Sequence, residues 1–344
     1  MKNWFFVLIL FICYSLSATE VGGLITQNTT WTLAGSPYYV TNDVIINANA
    51  TLTIEPGVVV KLKSADMRVY ENFWLVNGGP VAKSILVYGK IIAIGTAENP
   101  IIFDRDVNDN NYRWGTIRMM PYAPVSTFEY CQISHSLGSE HDATGMNIGA
   151  LLFENGNIRV RYCTFLDNLV SLGTLSLSSD IVIYECKFLR SDIEYTGSYQ
   201  SVVFNVILGG VFDPGGPYHT VTYANNKFQG PGLFKNLNSY LHQIVINNEF
   251  TDTFGSCEYV HIDSGNFSFY GNTIIGRSWH LMTVAGAETD SSYFRKNTII
   301  NDTNNNNYTF EIFGVGNGRN DISDNYFYGK VYFYPSRQGV MNRN

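Results

Sequence analysis

Along most of the chain, apolar and polar residues alternate with a period of two in short runs, the pattern of half-buried strands rather than helices. TLTIEPGVVVKL at residues 51–62 shows it early, with Glu55, Pro56 and Gly57 as the turn between two strands. From residue 128 onward the runs close in one way: a small residue, one further residue, then a large apolar one. The unit reads FEYCQI at 128–133, VRYCTF at 160–165, IYECKF at 183–188 and YANNKF at 223–228. It continues as VINNEF at 245–250, FYGNTI at 269–274, FRKNTI at 294–299 and ISDNYF at 322–327.

The small position is held by Cys131, Cys163, Cys186, Asn226, Asn248, Asn272, Asn297 and Asn325, at steps of 32, 23, 40, 22, 24, 25 and 28 residues. A step of 22–25 is one turn of a coiled β solenoid, in which no single repeat buries its own apolar face. Stacking successive turns at about 4.8 Å aligns equivalent residues in columns. Inward asparagines in such a column can bond the turn backbone and one another, so a buried row of amides is satisfied. The cysteines fill the same column as small apolar side chains.

This pattern resembles the right-handed parallel β-helix proteins of the pectin lyase-like group, with their asparagine ladders. Residues 51–62, GKIIAIGTAENPIIF at 89–103 and WGTIRM at 114–119 are similar to the opening coils of secreted and cell-surface β-helix proteins. The likeness spans roughly residues 24–334 and implies an all-β, single-stranded solenoid. It leaves function open, because this fold hosts lyases, hydrolases, epimerases, adhesins and inert scaffolds. Relatives of the pectate-lyase kind use carboxylates, often with calcium, and an Arg or Lys base, whereas polygalacturonases use clustered Asp with His and a basic pair. The sequence contains no NTD, adjacent Asp pair, GHG or RIK, which counts against the polygalacturonase type.

Residues 1–18 read as a secretory signal: Lys2, the apolar run WFFVLILFIC at 4–13, then Ser15, Ser17 and Ala18 for cleavage. Residues 19–344 read as one β-helix domain, with a cap and first coils at 19–62, an inserted loop at 63–84, coils at 85–334 and a tail at 335–344. The segment 22–40, with Trp31, Tyr38 and Tyr39, is expected to cover the N-terminal strand edges. Further insertions are expected at 135–147 and 209–218. A net charge of −7 with no Lys/Arg cluster argues against nucleic acid as partner, and no apolar run after the signal is long enough to span a membrane.

Only 15% of residues are charged and 15% are aromatic, as befits an extracellular β protein. Five sequons, at Asn28, Asn49, Asn266, Asn301 and Asn307, fit that route as glycan acceptors or as bare surface turns. After signal removal Cys131, Cys163, Cys186 and Cys257 remain. Parallel Cβ vectors in one column favour buried thiols over a bridge between Cys131 and Cys163 or between Cys163 and Cys186.

Candidate chemistry is sparse. Aligning EYVHI at 258–262, HLMTV at 280–284 and YTFEI at 308–312 stacks His261 near Thr283 and Glu311, and Glu258 near His280 and Tyr308. Glu258, His261, Asp263, His280 and Glu311 are thus the candidates for acid–base chemistry on a polysaccharide, against the reading that they are scattered surface polars. In the loop ISHSLGSEHD, His135, Glu140, His141 and Asp142 could ligate zinc or calcium, although their spacing matches no established motif. No cofactor is otherwise expected. Tyr and Phe number 23 and 22, and rings near loops or strand ends, including Trp74, Tyr112, Trp114, Tyr122, Tyr218 and Trp279, suit sugars or cover edges. The leading expectation is a secreted, non-enzymatic scaffold that adheres to or binds carbohydrate at the cell surface or matrix. The alternatives are a polysaccharide lyase, hydrolase or epimerase, and a purely structural module of a larger surface protein; separately, the strand edge of the last coil could pair with another chain.

Overall fold

The computed structural model describes residues 18–66, 82–138, 149–153, 158–168, 170–174, 181–189, 204–208, 220–229, 233–236, 242–255, 260–263, 267–278, 280–285, 292–301, 308–313, 320–333 and 339–342. These residues form a right-handed parallel β-helix with three stacked ladders. The first ladder is a 12-stranded parallel sheet that starts at Thr29–Trp31 and ends at Gly339–Asn342. The second and third ladders make one 22-stranded sheet, because Thr19–Ile25 and Tyr38–Ile46 each run through both. Thereafter each coil visits the first, second and third ladders in turn. Ser126–Glu129, Cys131–Ser134 and Leu151–Phe153 are one such round.

The alternation read from the sequence is the burial pattern of the strands: in Thr51–Ile54 and Val59–Leu62 every second residue is buried. Inward residues meet in columns. Phe165, Phe188, Phe228 and Phe250 stack with ring centroids 4.9, 4.7 and 4.6 Å apart and planes within 6°. That separation is the strand spacing itself, so the parallel register sets the ring offset. Phe269 and Phe294 stack in the same way along the first ladder, 5.2 Å apart.

The corner between the first and second ladders is a two-residue bend. Its first residue is left-handed in every coil from Tyr130 onward: Tyr130, Tyr162, Glu185, Asn225, Asn247, Gly271, Lys296 and Asp324 have φ between 50° and 65°. Its second residue is the ladder position. Asn248 Oδ1 accepts from the backbone N–H of Asn226 at 2.9 Å and from Asn226 Nδ2 at 3.0 Å. Asn248 Nδ2 donates to the Tyr223 carbonyl one coil earlier at 2.9 Å. Asn272, Asn297 and Asn325 repeat this arrangement, and Asn226 Oδ1 accepts from the N–H of Cys186. Cys131, Cys163 and Cys186 are free and buried, and burial holds the thiols of Cys131 and Cys186 above their ordinary range. Cys163 Sγ reaches the Phe128 carbonyl at 3.4 Å, the place that Nδ2 takes in the later coils. Cys257 lies outside the described residues.

Two expectations are corrected. The segment 22–40 does not cap the first coil; it forms it. Thr19–Ile25 pairs in parallel with Tyr38–Ile46, Trp31 stacks on Tyr38 at 4.9 Å inside the coil, and Leu24 stays 58% exposed. At the other end, Gly339–Asn342 is not tail but a strand of the first ladder, in register with Asn320–Ser323. Val340 pairs with Asp321 and Met341 with Ile322. The insertions at 67–81, 139–148 and 209–219 and the signal at 1–17 lie outside the described residues. Among the described residues no helix is long and apolar enough to cross a membrane.

Replacing Asn248 by Leu strands the Asn226 backbone N–H and amide inside the corner, at about 1–3 kcal/mol per lost partner. Urea unfolding of Asn248→Leu should therefore show a stability loss of at least about 2 kcal/mol. An unchanged midpoint would remove the amide column from its structural role.

Candidate functional site

The corner between the second and third ladders is built differently. Residues 63–66, 82–84, 106–116, 135–138 and 149–150 belong to the three connections made there, and a cluster of charged side chains lies at this corner. Lys61 and Asp104 stand opposite each other in adjacent strands, with Nζ and Oδ2 3.0 Å apart. Asp104 Oδ1 meets His135 Nδ1 at 2.7 Å, and His135 Nε2 faces Asp167 Oδ2 at 4.0 Å. His135 and Asp167 occupy the same left-handed corner position one coil apart, with φ of 60° and 50°. That backbone turn aims both side chains out of the solenoid.

The interior of this corner is polar around them. Ser136 N–H donates to Asn168 Oδ1 at 2.9 Å, and Asn168 Nδ2 donates to the Ile133 carbonyl at 2.8 Å, a second and shorter amide rung. The indole N–H of fully buried Trp114 donates to the Ser134 carbonyl. Arg113 donates to the backbone carbonyl of Asp167, and Arg105 Nη2 donates to Asn110 Oδ1 at 3.0 Å. Burial would raise the Asp104 carboxyl, but its hydrogen bonds to His135 and Lys61 outweigh that and bring it down to about 2. Asp104 is therefore a fixed anion that orients the imidazole.

A gap of 4.0 Å between Nε2 and Asp167 is too long for a good hydrogen bond. A hydroxyl oxygen can lie within bonding reach of both groups, an arrangement suited to proton transfer. The side chains of His135 and Asp167 are 16% and 15% exposed, so solvent and solutes reach them only at their edge.

Of the residues singled out from the sequence, His135 alone falls in this cluster. With Nδ1 on Asp104 and Nε2 toward Asp167, its ring faces two carboxylates. Glu140, His141 and Asp142 lie outside the described residues, as does Glu258. The backbone register places Lys235, His261, Thr283, Glu311 and Tyr332 at one position of five consecutive third-ladder strands. His280 pairs with Tyr308, and Asp263 with Ala285. Asn28 and Asn49 are exposed, whereas Asn266 and Asn307 lie outside the described residues. Asn301 ends the strand Thr298–Asn301 and is only 2% exposed.

Asp104 and Asp167 were missed as partners of His135. A signal existed, because His135 and Asp167 each follow a ladder cysteine, Cys131 and Cys163, by four residues. Lys61 and Asp104 precede the first regular repeat, where no such alignment starts.

A second surface feature lies on the first ladder. Tyr270 and Tyr293 are exposed on neighbouring coils, with Lys296 Nζ 5.4 Å from the centre of the Tyr270 ring and Arg295 Cζ 5.7 Å from that of Tyr293. Arg295 also pairs with Asp321.

Residues 23–145 match the family described as pectate-lyase like beta helix domain. No curated protein matches the chain. Among solved structures the chain is similar to ORF18 of Geobacillus virus E2, at 11% identity and a TM-score of 0.31. The match covers 88% of this chain and 54% of that one, so this chain spans about half the length of the viral protein.

The Asp104 carboxyl sits near 2 when folded against an ordinary 3.8, so its contribution is complete above about pH 4 and is lost as pH falls toward 2. The shift corresponds to about 2 kcal/mol. Urea unfolding across this window should show a steeper loss in the native protein than in Asp104→Asn. Parallel curves would mean that the ion pairs do not hold the corner.

Proposed function

We propose that this pectate-lyase-like β-helix works outside the cell as a scaffold that binds polysaccharide across its stacked strands. The observation that carries this reading is the pair of exposed rings on the first ladder. Tyr270 and Tyr293 are 39% and 46% exposed, and each has a cation beside it. A cation held over one face fixes the tilt of a ring and leaves its other surface for the C–H face of a pyranose. The rigid coil stack presents the two rings without an ordering cost, which favours binding. The signal-like residues 1–18 and the exposed sequon residues Asn28 and Asn49 support an extracellular site of action.

A second reading, a polysaccharide-cleaving enzyme, is favoured by the cluster of Asp104, His135 and Asp167. There a positioned imidazole and a second carboxylate approach the same point. The register column of His261 and Glu311 is the other place where such chemistry would be sought.

Incubating the purified protein with plant, algal, microbial and animal polysaccharides separates the two. Retention on one polysaccharide without new reducing or unsaturated ends is expected, with Tyr270→Ala and Tyr293→Ala each weakening binding about tenfold, or ~1.4 kcal/mol. New ends that disappear in His135→Ala or Glu311→Gln would replace the scaffold by the enzyme. Binding unaltered in both tyrosine variants would move the contact surface elsewhere.

A further inference from the structure

The corner between the third and first ladders carries a row of outward side chains that belongs neither to the ring pair nor to the charged cluster. In four successive coils this corner holds Asn28, the turn at residues 47–50, Tyr88 and Tyr122. Asn28 and Asn49 are exposed, and Tyr88 and Tyr122 are 45% and 93% exposed. The Ala50 N–H donates to the Asn47 carbonyl at 2.9 Å and closes the turn, and Asn47 Oδ1 accepts the Asn49 N–H at 3.3 Å. Ala50 is 2% exposed and points inward, which leaves Asn49 on the outside at the tip.

The next coil packs directly on this turn. The N–H groups of Tyr88 and Gly89 donate to the Ile46 carbonyl at 2.9 and 3.1 Å, and the Lys90 N–H donates to the Ala50 carbonyl at 3.0 Å. A Cβ on Gly89 would lie 2.2 Å from the carbonyl oxygens of both Asn47 and Ala50, so only glycine fits there. The turn bearing Asn49 and the exposed Tyr88 are thus neighbours at one strand spacing, about 4.8 Å. Asn49, Ala50 and Thr51 form an acceptor triplet for an N-linked glycan. Among the described residues nothing bonds the side-chain amide of Asn49. Asn28 differs, because its Oδ1 holds the Thr51 N–H at 2.9 Å and fixes the strand that begins with the threonine of the triplet.

We propose that Asn49 carries an N-linked glycan whose first sugar packs on the Tyr88 ring. The inference rests on the extracellular reading, since this modification belongs to a secretory route. The step joins Nδ2 of Asn49 to C1 of an oligosaccharide delivered as its lipid diphosphate ester. The bond from C1 to the ester oxygen breaks, the amide gives up one proton, and the lipid diphosphate leaves. The C–H face of the first sugar then covers a ring that is otherwise open to water. A bulky hydrophilic group on this corner also shields the apolar edge that Tyr88 forms with Tyr122 and Val125, which is 47% exposed.

The test produces the full chain, with its own residues 1–18, in secreting eukaryotic cells. Protein from the medium is treated with peptide N-glycosidase in heavy-oxygen water and mapped by mass spectrometry. Residue 49 should appear as labelled aspartate in the native chain and in Thr51→Ser, and the label should be lost in Asn49→Gln and Thr51→Val. Thermal unfolding reads the contact with the ring: Tyr88→Ala should lower the midpoint of the glycosylated protein more than that of Asn49→Gln. Secreted protein with residue 49 unlabelled would overturn the site, and equal losses in the two backgrounds would overturn the packing on Tyr88. Protein retained in the cells with residues 1–18 still attached would overturn the extracellular reading, and the site with it.

Discussion

A parallel coil has to turn three corners in every round, and at each one backbone N–H and carbonyl groups leave the ladders that would have paired them. The structure rests on how the first corner solves this. Each asparagine carries one acceptor and one donor group, and the stack uses both in a fixed direction: Oδ1 receives the N–H of the coil before, and Nδ2 reaches a carbonyl of that same coil. The rung therefore locks the rise between coils as well as the corner itself. Inward phenylalanines then fall at one strand spacing, and their offset stacking is a consequence of the register rather than its cause.

The same column shows why its chemistry changes along the chain. Val58 and Ile101 hold it where the corner is a longer turn whose backbone satisfies itself, as Val58 N–H does with the Glu55 carbonyl. At Cys131 and Cys163 a thiol donates to a carbonyl of the preceding coil but offers no oxygen to the N–H above. A thiol is thus half of an amide in this position. Asn226 is the first full rung, and Cys186 contributes to it only its backbone N–H. The change from aliphatic to thiol follows the shortening of the turn, whereas the change from thiol to amide takes place within the same two-residue bend.

Legibility in the sequence follows from this repetition. The column from Cys131 to Asn325, the alternation of the strands and the pairing of His261 with Thr283 could all be read, because each coil repeats its neighbour's spacing. Residues 22–40 and 339–342 were misread, since capping segments and pairing strands share the same apolar alternation and only the partner strand distinguishes them. The cluster at the second corner was the least visible part. Its members Lys61, Asp104, His135 and Asp167 come from four successive coils, and three connections of unequal length lie between them. Long-range proximity of that kind leaves a trace only where the offset from a recognisable column residue is constant, as it is for His135 and Asp167 from their cysteines; Lys61 and Asp104 also keep a constant offset, but from Val58 and Ile101, which no repeat marks.

The two corners divide the work of the molecule. At the first, neutral amides are sealed in a dry column, and any charge there would face desolvation without a partner. At the second, ionised groups sit at the edge of the core, where the Asp104 carboxylate holds Lys61 and His135 and Arg113 donates to the Asp167 backbone carbonyl. Loops can lengthen at that corner without breaking a ladder, because the rung formed by Ser136 and Asn168 closes the helix beneath them. A rigid stack that fixes a His between two carboxylates, and keeps one of them ionised by direct hydrogen bonds, holds that ring still whatever the loops above it do.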